Sequence, residues 1–316
     1  QWYNMANEAA HFYPQLIKEL SEYGEKNVSY KKVGSLVTAT NSDHLQKHWQ
    51  LIKNRQAKAP LIGQVEHLTN EGAKKYFPLL DEQLEALYIP GAARVDGRLL
   101  AKALLNIAKQ NGVNYIPGEA SLRMENGQVI GVQVKDKIYE ADRVLMTAGA
   151  WAKDLLTPFN LTLHIEPQRG QIVHLTLPQI DTSHWPVISP VGSGHYLVPF
   201  ENSRIVIGAT RETNSGFDYR MTADGVREVL NEGLTVAPGL TDATLTEVRI
   251  GFRPMSQDLL PLIGKIPSID NLYLANGLGP SGLTIGPFVG KLISEMIYGK
   301  ASSIDLTPYA PERAIS

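Results

Sequence analysis

A glycine-rich segment late in the chain has the spacing of a ligand-binding loop. Gly277, Gly279 and Gly282 form the pattern G-x-G-x-x-G between a predicted strand and a predicted helix. Such a loop lets backbone N–H groups and a helix N-terminus approach a phosphate or another electron-rich atom. The dinucleotide fingerprint also needs a second strand that ends in an acidic residue about 20 residues later, and no such pattern follows. The spacing therefore leaves two interpretations open, a ligand loop or a plain glycine-rich turn. Gly282 is the position expected to need a bare backbone.

Two other segments carry residue types that suit ligand binding. Residues 147–150 (Thr-Ala-Gly-Ala) follow a predicted buried strand, and small residues at the carboxyl end of a strand permit a ligand to approach closely. Arg253 ends a predicted strand, on the same face as Glu247 and Arg249 by period-two counting. A guanidinium there, followed by Pro254, can bind a carboxylate through two hydrogen bonds. From the residues alone, an empty turn at 147–150 and a surface or Glu247-paired Arg253 are the simpler interpretations.

Several other chemistries lack their residues. The chain has no Cys, which excludes disulfides, thiolate catalysis and Cys-ligated metal sites. His44 and His48 lie one helical turn apart, but the segment between them has no Glu, so we expect a solvated helix face and no metal site. The sequence contains neither a G-x-S-x-G nucleophile elbow nor a P-loop. No catalytic side chain is therefore assigned.

Composition and charge are those of an ordinary globular protein of about two domains. Of the 316 residues, 43% are hydrophobic and 20% charged, and 30 basic against 32 acidic side chains leave a net charge of −2. This balance gives no electrostatic reason to bind nucleic acid or anionic lipid. No apolar run approaches the roughly 18–20 residues of a membrane span, and no secretory signal opens the chain. We expect a cytoplasmic protein with a small-molecule ligand, no nucleic-acid partner, no integral membrane span and an undetermined oligomeric state.

Helical and strand patterns alternate along the chain and predict a mixed α/β fold. Predicted helices cover residues 1–20, 97–110, 222–234 and 283–297. Predicted strands cover residues 143–147, 171–177, 195–199, 204–209, 247–253 and 271–275, and a strand-turn-strand unit covers 115–134 with its turn at 125–127. The strands between 170 and 210 predict a largely antiparallel sheet. Because no long linker divides the chain, we expect two domains interleaved in sequence.

Taken in order, a set of short segments resembles the D-amino-acid oxidase/glycine oxidase family of FAD-dependent enzymes, which includes sarcosine oxidase and D-amino-acid dehydrogenases. Each segment is short, but the ordered set spans nearly the whole chain. The matching segments are Gly91-Ala92-Ala93-Arg94-Val95-Asp96, Ala148-Gly149-Ala150-Trp151, Pro167-Gln168-Arg169-Gly170-Gln171, Tyr196-Leu197-Val198-Pro199, Ile207-Gly208-Ala209-Thr210, Gly251-Phe252-Arg253-Pro254 with Asp258, Pro261-Leu262-Ile263-Gly264, and the loop from Asn276 to Thr284.

The resemblance implies a fold, a domain division and a set of FAD contacts. It implies a Rossmann-like FAD-binding domain interleaved with an antiparallel-sheet substrate domain. The FAD-binding parts would be 1–25, 91–155 and 245–300, the substrate domain 26–90 and 156–244, and the tail 301–316. The helix after the glycine-rich loop would aim its N-terminal dipole at the pyrimidine edge of the flavin. The FAD contacts that it implies are Ala120 at the adenine end, Thr147, Ala148, Gly149 and Ala150 beside the cofactor, and Leu278, Gly279, Pro280, Ser281, Gly282, Leu283 and Thr284 along the isoalloxazine ring.

The resemblance also implies how an amino acid would bind. Arg253 matches the arginine that holds the substrate carboxylate, and Tyr196 matches a tyrosine that hydrogen-bonds the same group. The implied reaction is oxidation of the C–N bond of glycine, a D-amino acid or a sarcosine-like amine, by hydride transfer to flavin N5. Glycine oxidase itself has an arginine where this chain has Pro280, so a dehydrogenase or an oxidase of a bulkier or N-substituted substrate is an equal expectation.

The start of the chain differs from the family pattern. Family members open with a strand, a G-x-G-x-x-G loop, a helix and an acidic residue, whereas this sequence begins inside a helical pattern without an N-cap residue. We therefore expect that about 50 residues are missing, and that this chain holds FAD weakly or not at all. Two alternatives remain at this point. The chain is a cofactor-free domain that binds a partner or a small carboxylate, or it serves a flavin-dependent tRNA-modifying enzyme, which the balanced charge disfavours.

Overall fold

The computed structural model describes residues 2–316, and helices and strands alternate along that range. Its seven α-helices span Trp2–Glu22 (α1), Ser42–Gln56 (α2), Asn70–Tyr76 (α3), Gly97–Gln110 (α4), Ala152–Leu156 (α5), Ala223–Val236 (α6) and Gly282–Ile297 (α7). Its strands span Lys31–Lys32 (β1), Ser35–Ala39 (β2), Glu66–Leu68 (β3), Glu85–Ile89 (β4), Ala93–Arg94 (β5), Ala120–Glu125 (β6), Gln128–Val134 (β7), Lys137–Glu140 (β8), Val144–Met146 (β9), Ile165–Thr176 (β10), Val187–Pro190 (β11), Tyr196–Pro199 (β12), Arg204–Gly208 (β13), Thr244–Ser256 (β14), Leu262–Ile266 (β15) and Ile269–Asn276 (β16). The predicted mixed α/β class is confirmed.

An eight-stranded sheet forms the largest layer, in the order β14-β10-β13-β12-β11-β2-β4-β3. All neighbours are antiparallel except β11 and β2, which run parallel, so the sheet is mixed. Because side chains alternate between the two faces of a strand, β10 directs Val173 and Leu175 into the core beneath α6. Ile172 and His174 lie on the opposite face, where they line a cavity.

Helix α6 packs on the covered face of this sheet through a small residue. Gly233 lies so close to the sheet that an added Cβ would lie 2.4 Å from the Ile207 side chain. Val229 and Val236 of the helix are buried with Val173 and Leu175 in the same core. One face of the large sheet is therefore closed by apolar packing, which leaves the other face available to a ligand.

A smaller three-stranded sheet positions the glycine-rich loop. Strand β16 pairs antiparallel with β15 and parallel with β9, so that β9 and β16 end side by side. Helix α7 buries Ile285, Phe288 and Leu292 against α1 and this sheet, in a core that contains Met5 and Ala9. The two segments that follow β9 and β16 are thus brought together by strand pairing between residues far apart in sequence.

Local sequence signals place α4 and the β6–β7 hairpin. Asp96 is the N-cap of α4, and its carboxylate accepts hydrogen bonds from the backbone N–H groups of Arg98 (3.0 Å) and Leu99 (3.2 Å). Asn126 and Gly127 adopt positive φ angles of 49° and 79°, which is the conformation of a two-residue hairpin turn. Both elements were expected at these positions, and both predictions are confirmed.

The predicted carboxyl end of β14 is wrong. The strand expected to end at Arg253 continues through Pro254 to Ser256. A proline is tolerated there because β14 is an edge strand, whose free side requires no N–H donor. The division into interleaved FAD-binding and substrate domains stays a prediction. Strand β14, assigned by that division to the FAD-binding part, pairs with β10 of the large sheet.

Candidate functional site

A cavity of about 930 Å³ lies against the open face of the large sheet. Opposite the sheet it is bounded by α1, by residues 91–98 and by the start of α7. The sheet contributes Gly170, Ile172 and His174 from β10, Tyr196 and Val198 from β12, Arg204 and Val206 from β13, and Arg249, Gly251 and Arg253 from β14. The glycine-rich segment contributes Gly279, Pro280, Gly282, Leu283 and Thr284. This volume is in the range of pockets that enclose a small ligand or part of a cofactor.

Arg253 is held in the cavity wall by uncharged partners. Its Nη1 donates to the backbone carbonyl of Thr210 (2.9 Å) and to Gln168 Oε1 (3.1 Å). An added Cβ at Gly170, on the neighbouring strand, would lie 2.8–2.9 Å from the guanidinium, so glycine there makes room for it. Burial lowers the pKa of Arg253, which nevertheless stays protonated at neutral pH. Within residues 2–316 no carboxylate forms an ion pair with Arg253.

The simpler interpretation of Arg253, a salt bridge to Glu247, is wrong. Glu247 instead lies 2.5 Å from Arg249 and 3.7 Å from Arg98. Arg249 lies two strand positions from Glu247 and Arg253 lies six, so the nearer arginine takes the carboxylate. Arg253 is left as a cation without a counter-ion in the described part of the chain.

Tyr196 faces the same cavity from β12. Its ring covers Gly208, where an added Cβ would lie 2.8 Å from the phenol oxygen. Burial raises the pKa of Tyr196, while the positive charges of Arg253 and Arg211 act in the opposite direction. The net shift is upward, so the phenol is protonated at neutral pH and can donate a hydrogen bond.

The glycine-rich segment places bare backbone at the cavity. Gly277 and Gly279 have positive φ angles of 69° and 50°, so these two glycines carry the conformational demand of the turn. Gly282 has a helical φ of −52° at the start of α7, so its own backbone conformation does not require glycine. No atom lies within 4 Å of an added Cβ at Gly282, which lines the cavity. A ligand can therefore approach the main chain there.

Residues 147–150 lie beside this segment and are tied to it. Gly149 has a φ of 56°, and its carbonyl accepts a hydrogen bond from Asn276 Nδ2 (2.9 Å). Asn276 Oδ1 accepts a second bond from Gly277 N (2.7 Å). The buried Asn276 side chain thus joins the two segments at the carboxyl ends of the parallel strands β9 and β16, which is where open α/β sheets bind ligands.

The predicted site residues fall into two groups. The lining of the cavity includes Arg253, Tyr196, Gly279, Pro280, Gly282, Leu283 and Thr284. The residues outside that lining are Ala120, Thr147, Ala148, Gly149, Ala150, Leu278 and Ser281. Of the second group, Ala120 is the most remote by topology, because it begins β6 of the separate β6-β7-β8 sheet.

Sequence reasoning missed the groups that position Arg253 and those at the other end of the cavity. Thr210 and Gln168 belong to quoted family segments but were given no role, because their contact with Arg253 is tertiary. His174 is 2% exposed and lines the cavity, yet it appeared in the sequence only as an isolated histidine. Arg249 had a usable signal, since period-two counting placed it on the Arg253 face.

The histidine pair predicted to be non-metallic lies on an exposed face. His44 and His48 occupy α2, and His48 Nδ1 is 3.0 Å from the carbonyl of His44. Across residues 2–316 no group of three or more His, Cys, Asp or Glu side chains could hold a metal ion. In the same range, every helix is too short or too polar to span a bilayer.

The sequence and the fold match those of one class of redox enzyme. Residues 1–296 match the family model described as FAD dependent oxidoreductase (DAO), so the chain belongs to this family. The chain is 43% identical over 316 residues to the "Uncharacterized oxidoreductase YurR" of Bacillus subtilis (strain 168), covering 100% of this chain and 85% of the relative. The family expected from the sequence is confirmed.

Two solved structures are similar over nearly the whole chain. The iminodiacetate oxidase (IdaA) of Chelativorans sp. BNC1 is 44% identical with a TM-score of 0.95, covering 98% of this chain and 84% of that one. The glycine oxidase of Geobacillus kaustophilus is 26% identical with a TM-score of 0.87, covering 97% of this chain and 82% of that one. The chain is therefore an FAD-dependent oxidoreductase of the glycine oxidase type.

Proposed function

We propose that the protein oxidises the C–N bond of an amino acid or secondary amine, with FAD as the electron acceptor. The observation that carries the proposal is the unpaired Arg253 guanidinium, which faces the same cavity as the bare backbone of residues 279–284. A carboxylate and a flavin are the two ligands that these features suit. The names of the relatives, glycine oxidase and iminodiacetate oxidase, support the same class of substrate.

Glycines in the cavity wall leave room for a flavin. At Gly282 and Gly251, which line the cavity, an added Cβ would meet no atom within 4 Å, so bare backbone faces open space at two points. We propose that residues 278–284 and 147–150 hold the cofactor, and Ala120 its adenine end. When bound, FAD supplies the acceptor for the hydride that leaves the carbon bearing the amine. Hydride loss from the neutral amine gives an iminium ion, which water then hydrolyses to the carbonyl product and the protonated amine.

Arg253 binds the substrate carboxylate. The guanidinium is partly desolvated and has only neutral acceptors, so an incoming carboxylate supplies the missing counter-charge. Gln168 and Thr210 occupy one of its nitrogens and fix its orientation, which leaves Nη2 for the ligand. By holding the carboxylate, Arg253 orients the reacting carbon, and this orientation raises the rate.

Tyr196 donates a second hydrogen bond to the same carboxylate. Its phenol is protonated at neutral pH because burial raises its pKa. The aromatic ring lies over Gly208, which fixes the height of the oxygen above the sheet. A neutral donor next to Arg253 adds specificity without adding a charge that would have to be desolvated.

No side chain is assigned as a general base. The only carboxylate that lines the cavity in the described part of the chain is Asp96, and it is paired with Arg204 at 2.8 Å. The amine must therefore arrive as the neutral species. The value of kcat/KM is expected to rise with pH according to the pKa of the substrate amine.

The proposal is tested with the protein carrying whatever residues its gene places before Gln1, loaded with FAD. Under anaerobic conditions the visible flavin band is followed after addition of glycine, sarcosine, D-alanine or iminodiacetate. Bleaching by at least one of them supports the proposal. A protein that retains FAD and is bleached by no amino acid or amine refutes it.

An Arg253→Ala variant tests the carboxylate contact. Loss of a charge-assisted hydrogen bond removes about 1.5–3 kcal/mol of binding, so KM is expected to rise roughly 10- to 100-fold. The matched control is Arg227→Ala, because Arg227 is an exposed helix residue paired with Asp224 outside the cavity. Equal KM values for the two variants would place the carboxylate elsewhere.

Weak FAD binding by the 316-residue chain also stays a prediction. Titration of this chain with FAD, followed by quenching of flavin fluorescence, measures the dissociation constant. Calorimetry with glycine in the absence of FAD separates the flavoenzyme from a cofactor-free carboxylate-binding domain. Binding of the amino acid alone together with no binding of FAD would favour the latter.

A further inference from the structure

The end of the cavity away from Arg253 contains a second arginine on the same strand. Arg249, Gly251 and Arg253 alternate along one face of β14, and all three line the cavity. No atom lies within 4 Å of an added Cβ at Gly251, so the space between the two arginines is open. Four strand positions place the two Cα atoms about 13 Å apart.

Both side chains lean in the same direction, which preserves this spacing. The Arg253 guanidinium lies over Gly170, the register partner of Gly251. Arg249 reaches Glu247, two positions nearer the start of β14. Two terminal hydrogen bonds of about 2.8 Å each leave roughly 7 Å between the outer ligand oxygens. That span fits a short molecule with a carboxylate at each end and about three atoms between the carboxyl carbons.

Two buried nitrogens, one of Arg249 and one of His174, have no hydrogen-bond partner. Arg249 Nε and His174 Nε2 are buried without a hydrogen-bond partner, and the His174 residue is 2% exposed. The carbonyl of His174 is used by Thr246, but its ring contacts no acceptor at Nε2. Buried polar nitrogens in folded proteins are nearly always paired, so two unpaired ones at one end of the cavity favour a polar ligand there.

The charges at this end also favour an anion. Arg98, Arg204 and Arg249 are opposed by the carboxylates of Asp96 and Glu247, which leaves one excess positive charge. Burial first, and then the Arg249 charge, lower the pKa of His174 to about 4, so the ring is neutral at pH 7. A neutral imidazole can donate one hydrogen bond without requiring a counter-ion.

We propose that Arg249 and His174 form a second carboxylate subsite, so that the substrate is a secondary amine with a carboxylate at each end. Arg253 and Tyr196 hold one carboxylate, Arg249 and His174 hold the other, and the nitrogen lies between them over Gly251. This inference rests on the proposed function for the oxidation itself. It goes beyond that function by excluding monocarboxylic amines as the preferred substrates.

The subsite is tested first by binding without oxidation. Glutarate has the shape of iminodiacetate with CH₂ in place of NH, and butyrate lacks its second carboxylate. Calorimetry with the FAD-loaded protein is expected to show glutarate binding at least 10-fold tighter than butyrate. The Arg249→Gln variant is expected to remove that preference and leave butyrate unchanged. Equal binding of glutarate and butyrate by the unmodified protein overturns the subsite.

The second test compares turnover of iminodiacetate and sarcosine, which differ by one carboxylate. In Arg249→Gln, kcat/KM is expected to fall 10- to 100-fold for iminodiacetate and less than about 3-fold for sarcosine. A His174→Leu variant is expected to show the same selectivity with a smaller loss. An equal loss for both substrates would make Arg249 a structural residue and overturn the inference.

The two tests separate the inference from the proposed function. Preferential glutarate binding without oxidation of iminodiacetate would support the subsite and refute the oxidase function. Oxidation of sarcosine, with no preference for glutarate in binding or for iminodiacetate in turnover, would support the oxidase function and refute the subsite. If Arg249→Gln does not fold, Arg249→Lys keeps the charge but loses the planar fork. The expected result is then a partial loss that is confined to the dicarboxylates. The absence of any selective loss would overturn the subsite.

Discussion

Replacement of Gly170 by alanine tests how Arg253 is positioned without removing its charge. The added Cβ would lie 2.8 Å from Nη2 and 2.9 Å from Cζ and Nη1 of Arg253. Non-bonded carbon and nitrogen atoms prefer a separation of about 3.5 Å, so the guanidinium must move by roughly 0.7 Å. Only the end of a flexible side chain has to move, so the fold is expected to persist.

The expected effect is on binding and not on folding. A misplacement of about 1 Å in a site can reduce the rate by a factor near 100, so a shift of roughly 0.7 Å predicts a loss of about tenfold in kcat/KM, mainly through KM. The free energy of unfolding is expected to change by less than about 1 kcal/mol, because no buried group loses a partner. Steady-state kinetics and denaturant unfolding measure the two quantities.

Two controls identify the cause of any loss. Gly290→Ala, on α7, adds a Cβ in open space and is expected to leave KM unchanged. In a double-mutant cycle, Gly170→Ala combined with Arg253→Ala is expected to match Arg253→Ala alone, since the first change acts through the second residue. Additive losses, or an unchanged KM in Gly170→Ala, would refute the reasoning.

Two further predictions concern the other polar groups of the cavity. Tyr196→Phe removes only the donor oxygen, so KM for the carboxylate substrate is expected to rise about 5- to 10-fold with unchanged thermal stability; an unchanged KM would remove Tyr196 from the site. His174 has a pKa of about 4 in the folded protein against an ordinary value of 6.5. As pH falls, the unfolded chain therefore binds a proton at His174 before the folded protein does, and stability is lost between pH 6.5 and 4. Between pH 7 and 5 the free energy of unfolding is expected to fall by about 2 kcal/mol through His174. Denaturant unfolding at several pH values measures this, because the plot of unfolding free energy against pH is expected to be steeper for the protein than for His174→Gln. Parallel pH profiles of the two would contradict it. The charged groups that face His174 are Arg249, Glu247, Arg204 and Arg98.

Local elements could be predicted from the sequence because their signals are local. The helix Gly97–Gln110 has Asp96 as its N-cap and a regular apolar stripe, and its predicted bounds are confirmed. The turn at Asn126 and Gly127 needs two residues that tolerate positive φ, and the sequence supplies them at adjacent positions. The end of β14 was missed because a proline is a barrier only where its N–H is needed, which depends on the strand's place in the sheet.

The composition of the site was readable from the sequence only in part. The glycine spacing of residues 277–282 and the face shared by Arg249 and Arg253 follow from short-range geometry, and the ordered family segments indicated FAD chemistry. Strand pairing decided the rest. Thr210 and Gln168 reach Arg253 across 43 and 85 positions, and His174 is buried beside Arg249 only because β10 and β14 are neighbours. Which donor lacks an acceptor, and which cation lacks a counter-ion, is a property of these long-range contacts, since burial and partners exist only in the folded chain.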